Sequence, residues 1–185
     1  MNKKILEWPA KNLKKISSKV VDIPGAKQLV EDLIDTCNVN MGAGLAAPQI
    51  GINERVVVIK PKVFGVENPT PSSYNPDYMV LINPELENSG KTVKWKEACL
   101  SIPGVDARVE RQETTFLKYQ DEEGNVHKMI VDWPLSGGIQ HECDHLDGQL
   151  YIHRLPRTRR GLLVGKYHDK KKKAARALKK LRRAR

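Results

Sequence analysis

The chain contains a His-Glu-x-x-His pattern at residues 141–145, and no other feature constrains its fold as tightly. Residues four apart on a helix lie on one face, one turn from each other, so the pattern requires a helix here. On such a helix His141 and His145 can bind the same metal ion, and Glu142 beside them can act as a general base without being a ligand. The alternative is a helix with two incidental histidines, because so short a pattern also occurs by chance.

Two residues in the sequence are candidates for the third metal ligand of such a site. A catalytic metal site uses three protein ligands and leaves one position open. No Glu follows Glu142, and Tyr151 stands where the longer His-Glu-x-x-His-x-x-Gly-x-x-His pattern has its third histidine. Asp147 remains possible on its spacing. Upstream, Cys99 is the other candidate, because a thiolate is a strong ligand for soft or borderline metals, although a buried strand cysteine is a common alternative.

A second unusual stretch, residues 42–49, begins with two glycines and continues with small residues. Without side chains at Gly42 and Gly44 the backbone can approach a ligand or a neighbouring strand closely, although a tight turn before a strand would have the same composition. The stretch lacks the lysine of a phosphate-binding loop, which argues against a nucleotide site. Gln49 ends it with an amide that can donate a hydrogen bond without adding charge.

Length and composition fit one globular domain. At 185 residues, with 39% hydrophobic and 29% charged residues, the chain can bury a sizeable core. The sequence contains no run of 18 apolar residues, so we expect no membrane span. Residues 1–9 have no apolar stretch behind their lysines, so we expect no secretory signal. Three cysteines are an odd and sparse set that favours a reducing cytoplasm over a disulfide framework. We expect a cytoplasmic monomer with no membrane partner.

The net charge of +10 is confined to the last twenty residues. Residues 166–185 contain 11 Lys or Arg and one Asp, which leaves 21 basic and 21 acidic residues in 1–165. We therefore predict a single catalytic domain over 1–165 and a basic tail over 166–185 that is dispensable for small substrates. Alanines and the absence of Gly and Pro favour a helix in the tail, whereas like charges at i and i+4 favour a disordered end.

The apolar pattern predicts the secondary structure. Helical spacing predicts an amphipathic helix from Ala26 to about Cys37, and a second helix, with the histidine pattern, from near Ser136 to Gly148. Between them, apolar runs predict strands at 55–59, 78–84, 92–100, 107–110, 115–119 and 127–131. We expect Pro84 to close the second strand, and the fourth and fifth to pair with each other. This order predicts an α+β fold: largely antiparallel sheets around a central metal-binding helix, with an N-terminal helix and a basic C-terminal helix or tail.

Three segments together resemble the motifs of the peptide deformylases. Residues 42–49, 97–101 and 140–148 follow the order and approximate separations of that family's three motifs. Residues 82–84 and 102–104 are similar to the family as well. The resemblance implies a metal-dependent hydrolase that removes the N-formyl group from nascent chains beginning with formyl-methionine and releases formate. It also implies contact of the tail with ribosomal RNA, because deformylases can use a basic C-terminal helix in that way.

The resemblance assigns roles to individual residues. It implies that one divalent metal, commonly Fe(II) with zinc, nickel or cobalt able to replace it, is bound by Cys99, His141 and His145. Glu142 is then the general base, and Gln49 and the Leu100 backbone N–H stabilise the oxyanion. The implied substrate contacts are Gly42, Ala43, Gly44, Leu45, Glu97, Gly137, Gly138 and Arg111.

The chain also departs from the family pattern. Ala98 stands where the second motif usually has Gly, next to the cysteine ligand. Gly137 and Gly138 replace bulkier residues that often help line the methionine pocket, so we expect a roomier or more mobile pocket wall. The arginine that the family has near its cleft matches Arg111, with Arg108 as the alternative.

Two other functions fit parts of the sequence. A metalloprotease that cleaves internal peptide bonds would use the same helix, and comparing formylated with acetylated peptides separates the two activities. A basic RNA-binding protein with a vestigial metal site would use only the tail. The intact histidine pattern and a candidate third ligand argue against that second alternative.

Overall fold

The computed structural model describes residues 1–183 of the chain. Within them one antiparallel sheet has the strand order β1 (Gly44–Ala46), β2 (Val56–Ile59), β3 (Met79–Cys99), β4 (Ile102–Gln120) and β5 (Val126–Val131). The α-helices are α1 (Lys27–Val39), α2 (Leu135–Leu146) and α3 (Arg157–Arg183). The predicted α+β class with largely antiparallel pairing is confirmed, although the described strands form one sheet. Among residues 1–183 no helix is both long and apolar enough to cross a membrane.

Helix α1 buries one apolar face against the first two strands. The residues at helical spacing are all buried, as the sequence predicted: Leu29, Val30, Leu33 and Ile34. They share an apolar cluster with β1 and β2, so that the helix holds this edge of the sheet. After α1 the Gly42 N–H donates to the Cys37 carbonyl (2.9 Å), which turns the chain toward β1.

Strand β3 is much longer than predicted, because Pro84 does not end it. The pairing register with β4 shifts around this proline, and a β-bulge tolerates a residue without an N–H. At the bulge Asn83 has φ 52°, and its side chain accepts from the Val20 N–H (2.8 Å) and donates to the Val20 carbonyl (2.9 Å). The stretches 78–84 and 92–100, predicted as two strands, therefore belong to one.

The stretches 107–110 and 115–119 also belong to one strand, β4, so the predicted pairing between them is wrong. Both pair with β3; Ala107, for example, lies opposite Glu97. The apolar alternation breaks between the two stretches because Arg111, a charged residue, is buried there. The break marks a buried polar group in a continuous strand, where the sequence suggested a turn.

Helix α2 carries the His-Glu-x-x-His pattern and lies within a few residues of its predicted bounds. Its apolar side packs on the sheet through Leu135, Ile139, Cys143 and Leu146. Past its end Gly148 has φ 69°, and a Cβ there would lie 2.5 Å from the backbone carbonyl oxygen of Lys14. Glycine therefore fits this helix end for two reasons, the left-handed backbone and the close neighbouring chain.

Helix α3 crosses the predicted boundary between domain and tail at residue 165. Its first half packs on the body, where Leu163 and Tyr167 are buried. The Tyr167 hydroxyl donates to Glu7 Oε2 (3.0 Å), and Lys171 Nζ donates to the same oxygen (2.8 Å). We name residues 172–183 the distal half of α3; residues 184–185, also part of the predicted tail, lie outside the described residues. The body thus includes the chain as far as Lys171.

Candidate metal centre

The end of β3 and one face of α2 bring three ligand-type side chains together. The ligand atoms of Cys99, His141 and His145 all lie within 4.8 Å of one another. Cys99 Sγ is 3.3 Å from His145 Nε2, and the two imidazole rings are 5.3 Å apart between centroids. Asp147, the other candidate for third ligand, lies outside this group, and its Oδ1 accepts a hydrogen bond from Arg55 Nη1 (2.7 Å).

The charges in this cluster favour a thiolate. Burial alone would raise the pKa of Cys99, but the imidazoles of His145 and His141 outweigh it and lower the pKa to about 5. Burial likewise opposes the charged form of His141, but Cys99 and Glu97 raise its pKa well above the usual value. The cluster therefore concentrates negative charge around the histidines, which suits a bound cation.

A carboxylate behind His141 sets the orientation of its ring. His141 Nδ1 donates to Glu97 Oε2 (2.6 Å), which leaves Nε2 available as a ligand atom. Arg111 donates to both oxygens of Glu97, from Nε (2.7 Å) and Nη2 (2.9 Å). Burial would raise the pKa of Glu97, but these partners lower it to about 2. Glu97 is thus a fixed anion that holds the imidazole in one tautomer.

The network extends to two residues that sequence reasoning missed. Arg111 Nη1 donates to Asp144 Oδ2 (2.6 Å), and Arg154 donates to both oxygens of Asp144 (2.7 and 2.6 Å). Arg111 is 2% exposed and does not line the cavity, and Arg108 is exposed on β4. Asp144 lies inside the histidine pattern, so its position was a usable signal, whereas nothing in the sequence marks Arg154.

Glu142 lies beside the ligand cluster with an unoccupied acceptor. Its side chain is buried, and Oε2 has no hydrogen-bond partner among the described residues. Burial is the main cause that raises the pKa of this carboxyl. A Cβ on Gly44 would lie 2.8 Å from Glu142 Oε1, so the backbone of β1 contacts this carboxylate directly. A buried acceptor next to three ligand atoms is suited to a proton-transfer role.

Gln49 is anchored at one end and offers donors at the other. Its Oε1 accepts from the Ala46 N–H (2.9 Å), which fixes the orientation of the amide. Its Nε2 donates to Ser101 Oγ (3.2 Å) and lies 3.6 Å from Cys99 Sγ. The amide nitrogen therefore faces the ligand cluster, and Leu100 lines the same cavity.

The cluster opens into a cavity of ≈ 300 Å³. Most of the residues implied by the resemblance line it: Gly42, Ala43, Gly44, Gln49, Glu97, Cys99, Leu100, Gly138, His141 and Glu142. The others lie behind this surface; Leu45, for example, is fully buried in the core. The lining also includes Ala98, next to the cysteine ligand, and residues that the sequence did not suggest: Val63, Phe64, Trp95, Lys96 and Pro134.

Neighbouring rings fill the space beside Gly137 and Gly138, so this wall is not roomier, while the alternative of a more mobile wall stays a prediction. A Cβ on Gly138 would lie 2.4 Å from Phe64 Cζ, and a Cβ on Gly137 would lie 2.7 Å from Trp133 Cζ3. Aromatic rings from elsewhere in the chain occupy the space that the missing side chains leave. Of the two glycines only Gly138 lines the cavity.

The donor set fits a divalent metal. One thiolate and two imidazoles are ligands that zinc and other borderline metals accept. Glu142, whose Oε2 has no hydrogen-bond partner among residues 1–183, lines the same cavity and is suited to act as a base. An α+β fold in which such a cluster and a buried carboxylate share one cavity is typical of a metal-dependent hydrolase.

Comparison with known proteins gives the family. The chain belongs to the polypeptide deformylase family, whose model matches residues 2–161. It is 34% identical over 168 residues to the peptide deformylase of Thermodesulfovibrio yellowstonii, covering 90% of this chain and 97% of that protein. It is 36% identical over 174 residues to that of Zymomonas mobilis, covering 91% and 94%.

Solved structures agree with this assignment. The peptide deformylase of Legionella pneumophila superposes with a TM-score of 0.83 at 32% identity, covering 95% of this chain and 99% of that one. The enzyme of Synechococcus elongatus in complex with actinonin gives 0.77 at 33% identity, covering 89% and 85%. The function is therefore removal of the formyl group from the N-formylmethionine of nascent peptides.

Proposed function

We propose that Cys99, His141 and His145 hold the metal on which this deformylase depends, with Fe(II) as the physiological ion and zinc, nickel or cobalt able to replace it. The clustering of the three ligand atoms within 4.8 Å supports the ligand set. The likeness to the family supports iron. When bound, such an ion supplies Lewis-acid polarisation and lowers the pKa of nearby water. Metal analysis after anaerobic purification, paired with formate release, tests the choice of iron.

Glu142 acts as the general base in this proposal. It accepts a proton from the attacking water and passes it to the leaving amine, so that the C–N bond of the formyl group breaks and formate departs. The observation that carries the assignment is the buried Oε2 with no partner among the described residues. Protonation by Glu142 lets the nitrogen leave as a neutral amine, which is a much better leaving group than an amide anion. The proton is the one that Glu142 took from the water, so one residue can carry out both transfers.

Gln49 and the backbone N–H of Leu100 stabilise the charge that develops on the formyl oxygen. Gln49 suits this role because Ala46 fixes its carbonyl end and leaves Nε2 toward the cluster. A preorganised donor of this kind is typically worth about 2.7–4 kcal/mol in the transition state. Because the donor is uncharged, it favours the oxyanion without raising affinity for anions in general.

The stretch from Gly42 to Leu45 binds the peptide as an added strand. Strand β1 is at the end of the sheet order and pairs on one side with β2, which leaves its other side for an extended partner. Gly42, Ala43 and Gly44 line the cavity, which supports backbone pairing next to the reacting bond. This mode reads extended chains with little side-chain selectivity, as an enzyme acting on many nascent proteins requires.

The activity itself has a direct test. Formate release from a formyl-methionyl dipeptide should be observed, while its acetylated and unblocked counterparts remain intact. Cleavage of an internal peptide bond in a longer substrate would instead indicate the metalloprotease alternative.

The distal half of α3 contacts ribosomal RNA in this proposal. Its described side chains are exposed, and the basic ones are Lys172, Lys173, Arg176, Lys179, Lys180 and Arg182. Such a surface neutralises phosphates and places the enzyme where nascent chains emerge. We also infer a cytoplasmic monomer: all three cysteines are free, and one chain supplies the whole metal-ligand set.

A further inference from the structure

The apolar half of the cavity is built by residues from three elements. Phe64 ends the 3-10 turn Pro61–Phe64, Trp95 lies on β3, and Gly138 lies on α2. The other half carries the metal ligands and Glu142. In a cavity of ≈ 300 Å³, a substrate with its formyl group at the metal centre must place its first side chain close to this apolar half.

The ring of Phe64 stands in the space of a side chain at position 138. The nearest ring atom lies only 2.4 Å from where a Gly138 Cβ would be, which is closer than any non-bonded contact allows. The Phe64 ring can therefore occupy this position only because residue 138 is glycine. The wall that the sequence predicted to be open is closed by a residue seventy-four positions earlier in the chain.

Two further rings lie close to Phe64 or to its neighbour. Trp95 lies 6.3 Å from Phe64 between ring centroids, and Trp133 meets Trp95 edge-on at 4.9 Å and 85°. Trp133 in turn occupies the space over Gly137. The three rings and the two glycines thus interlock, and edge-on aromatic contacts of this kind add stability beyond simple burial.

We propose that Phe64 is the residue that determines which substrate side chain this enzyme prefers. Trp95 packs near its ring, and the absence of a side chain at Gly138 leaves the space that the ring occupies. The inference rests on the proposed placement of the formyl group at the metal centre. A polarisable thioether contacts an aromatic ring more favourably than a methylene does, so the ring favours methionine over its isostere norleucine. It also closes the volume that a bulkier side chain such as phenylalanine would need.

Phe64→Ala tests the proposal, with kcat/KM measured for formyl-methionyl, formyl-norleucyl and formyl-phenylalanyl dipeptides. The preference for methionine over norleucine should fall by about 2- to 12-fold, the range of sulfur–aromatic contacts. The preference over phenylalanine should fall by about tenfold or more, as for a pocket that gains room. Phe116→Ala is the matched control, because Phe116 is the other phenylalanine of the chain and lies half-exposed on β4.

A double-mutant cycle tests whether the position of the Phe64 ring depends on glycine at residue 138. Gly138→Ala should alter the substrate preference in the wild-type background, because its Cβ displaces the ring, and should act differently by about twofold or more when Phe64 is already Ala. Phe64→Leu serves if Phe64→Ala does not fold. Unchanged ratios in both Phe64 variants, or equal effects of Gly138→Ala in both backgrounds, would overturn the proposal. Absence of formate release by the wild-type enzyme would instead contradict the proposed function.

Discussion

Arg111 in the metal centre and Lys179 in the distal half of α3 carry the same charge in opposite surroundings. Arg111 is 2% exposed, and its guanidinium donates to Glu97 and Asp144. Lys179 is exposed, and residues 172–183 contain no acidic residue. A buried charge is tolerated only when it is paired, so its partners are fixed, whereas exposed cations remain available to an external polyanion. The difference separates the part of the chain that does chemistry from the part that we assign to localisation.

The largest effect on the chemical side should come from Glu142→Gln. The amide cannot accept a proton, so formate release should fall by about 10²–10⁴-fold, the usual contribution of a general base. The metal should remain, because Glu142 is not one of the three clustered ligands. Metal content and rate are measured on the same preparation, with Lys179→Met as the control from the other region. A wild-type rate in Glu142→Gln would exclude the proposed base.

Removing the buried cation should destabilise the fold, while removing the exposed one should not. Arg111→Met leaves the carboxylates of Glu97 and Asp144 without one of their partners, which should lower the free energy of unfolding by about 3–5 kcal/mol. Lys179→Met should leave it unchanged. Urea unfolding of both variants measures this difference. Similar midpoints for the two would show that the buried, paired Arg111 stabilises the fold no more than the exposed Lys179 does.

Gln49→Ala should slow formate release by about 10²–10³-fold, the equivalent of one lost oxyanion donor, with the metal retained. Ser101→Ala is its matched control: the hydroxyl accepts from Gln49 Nε2 at 3.2 Å, so its loss perturbs the amide without removing it. The control should therefore slow the reaction much less. If both variants behave alike, the effect belongs to local packing and Gln49 is no oxyanion donor.

Two truncations should separate the body of the protein from the distal half of α3. Ending the chain after Lys171 keeps Tyr167 and the contacts to Glu7, so small-peptide hydrolysis should be unchanged while ribosome binding at low salt weakens. Ending it after Gly165 also removes the buried Tyr167 and should lower the melting temperature. Full-length binding should fall with salt at a slope near −0.7 to −0.9 per phosphate contacted. Equal ribosome affinity with and without residues 172–185 would refute the proposed contact with ribosomal RNA.

Local spacing was enough to predict the helices α1 and α2 and the two histidines of the metal centre. A helix places its own residues on a face, so the positions of His141 and His145 follow from the pattern alone. Cys99 required the resemblance, since its spacing to the histidines has no local geometry behind it. The structure then separates it from Asp147, which lies next to Arg55 instead.

The errors have one physical cause, which is that each depends on a partner far along the chain. Pro84 stays within β3 because Asn83 satisfies the backbone of Val20, more than sixty residues earlier. Arg111 lies near the cleft, as predicted, but it does not line the cavity, because Glu97 and, on a different element, Asp144 set its place. No window of sequence around these positions contains that information.

The pocket wall shows the same limit. The glycines at 137 and 138 correctly signalled missing side chains, but the volume that they vacate is filled by Trp133 and Phe64. The composition of one segment therefore predicts that side-chain volume is missing there. Only the packed structure shows which residues fill that volume.

The most direct test of the account is the metal content of Cys99→Ser compared with Asp147→Asn. Serine is a poor substitute for a thiolate ligand, so Cys99→Ser should lose most of its metal and its formate release. Asp147→Asn changes a half-exposed side chain paired with Arg55 and should keep about one metal per chain with full activity. We expect Asp147→Asn to retain more metal than Cys99→Ser. A metal-free Asp147→Asn beside a fully loaded Cys99→Ser would contradict it.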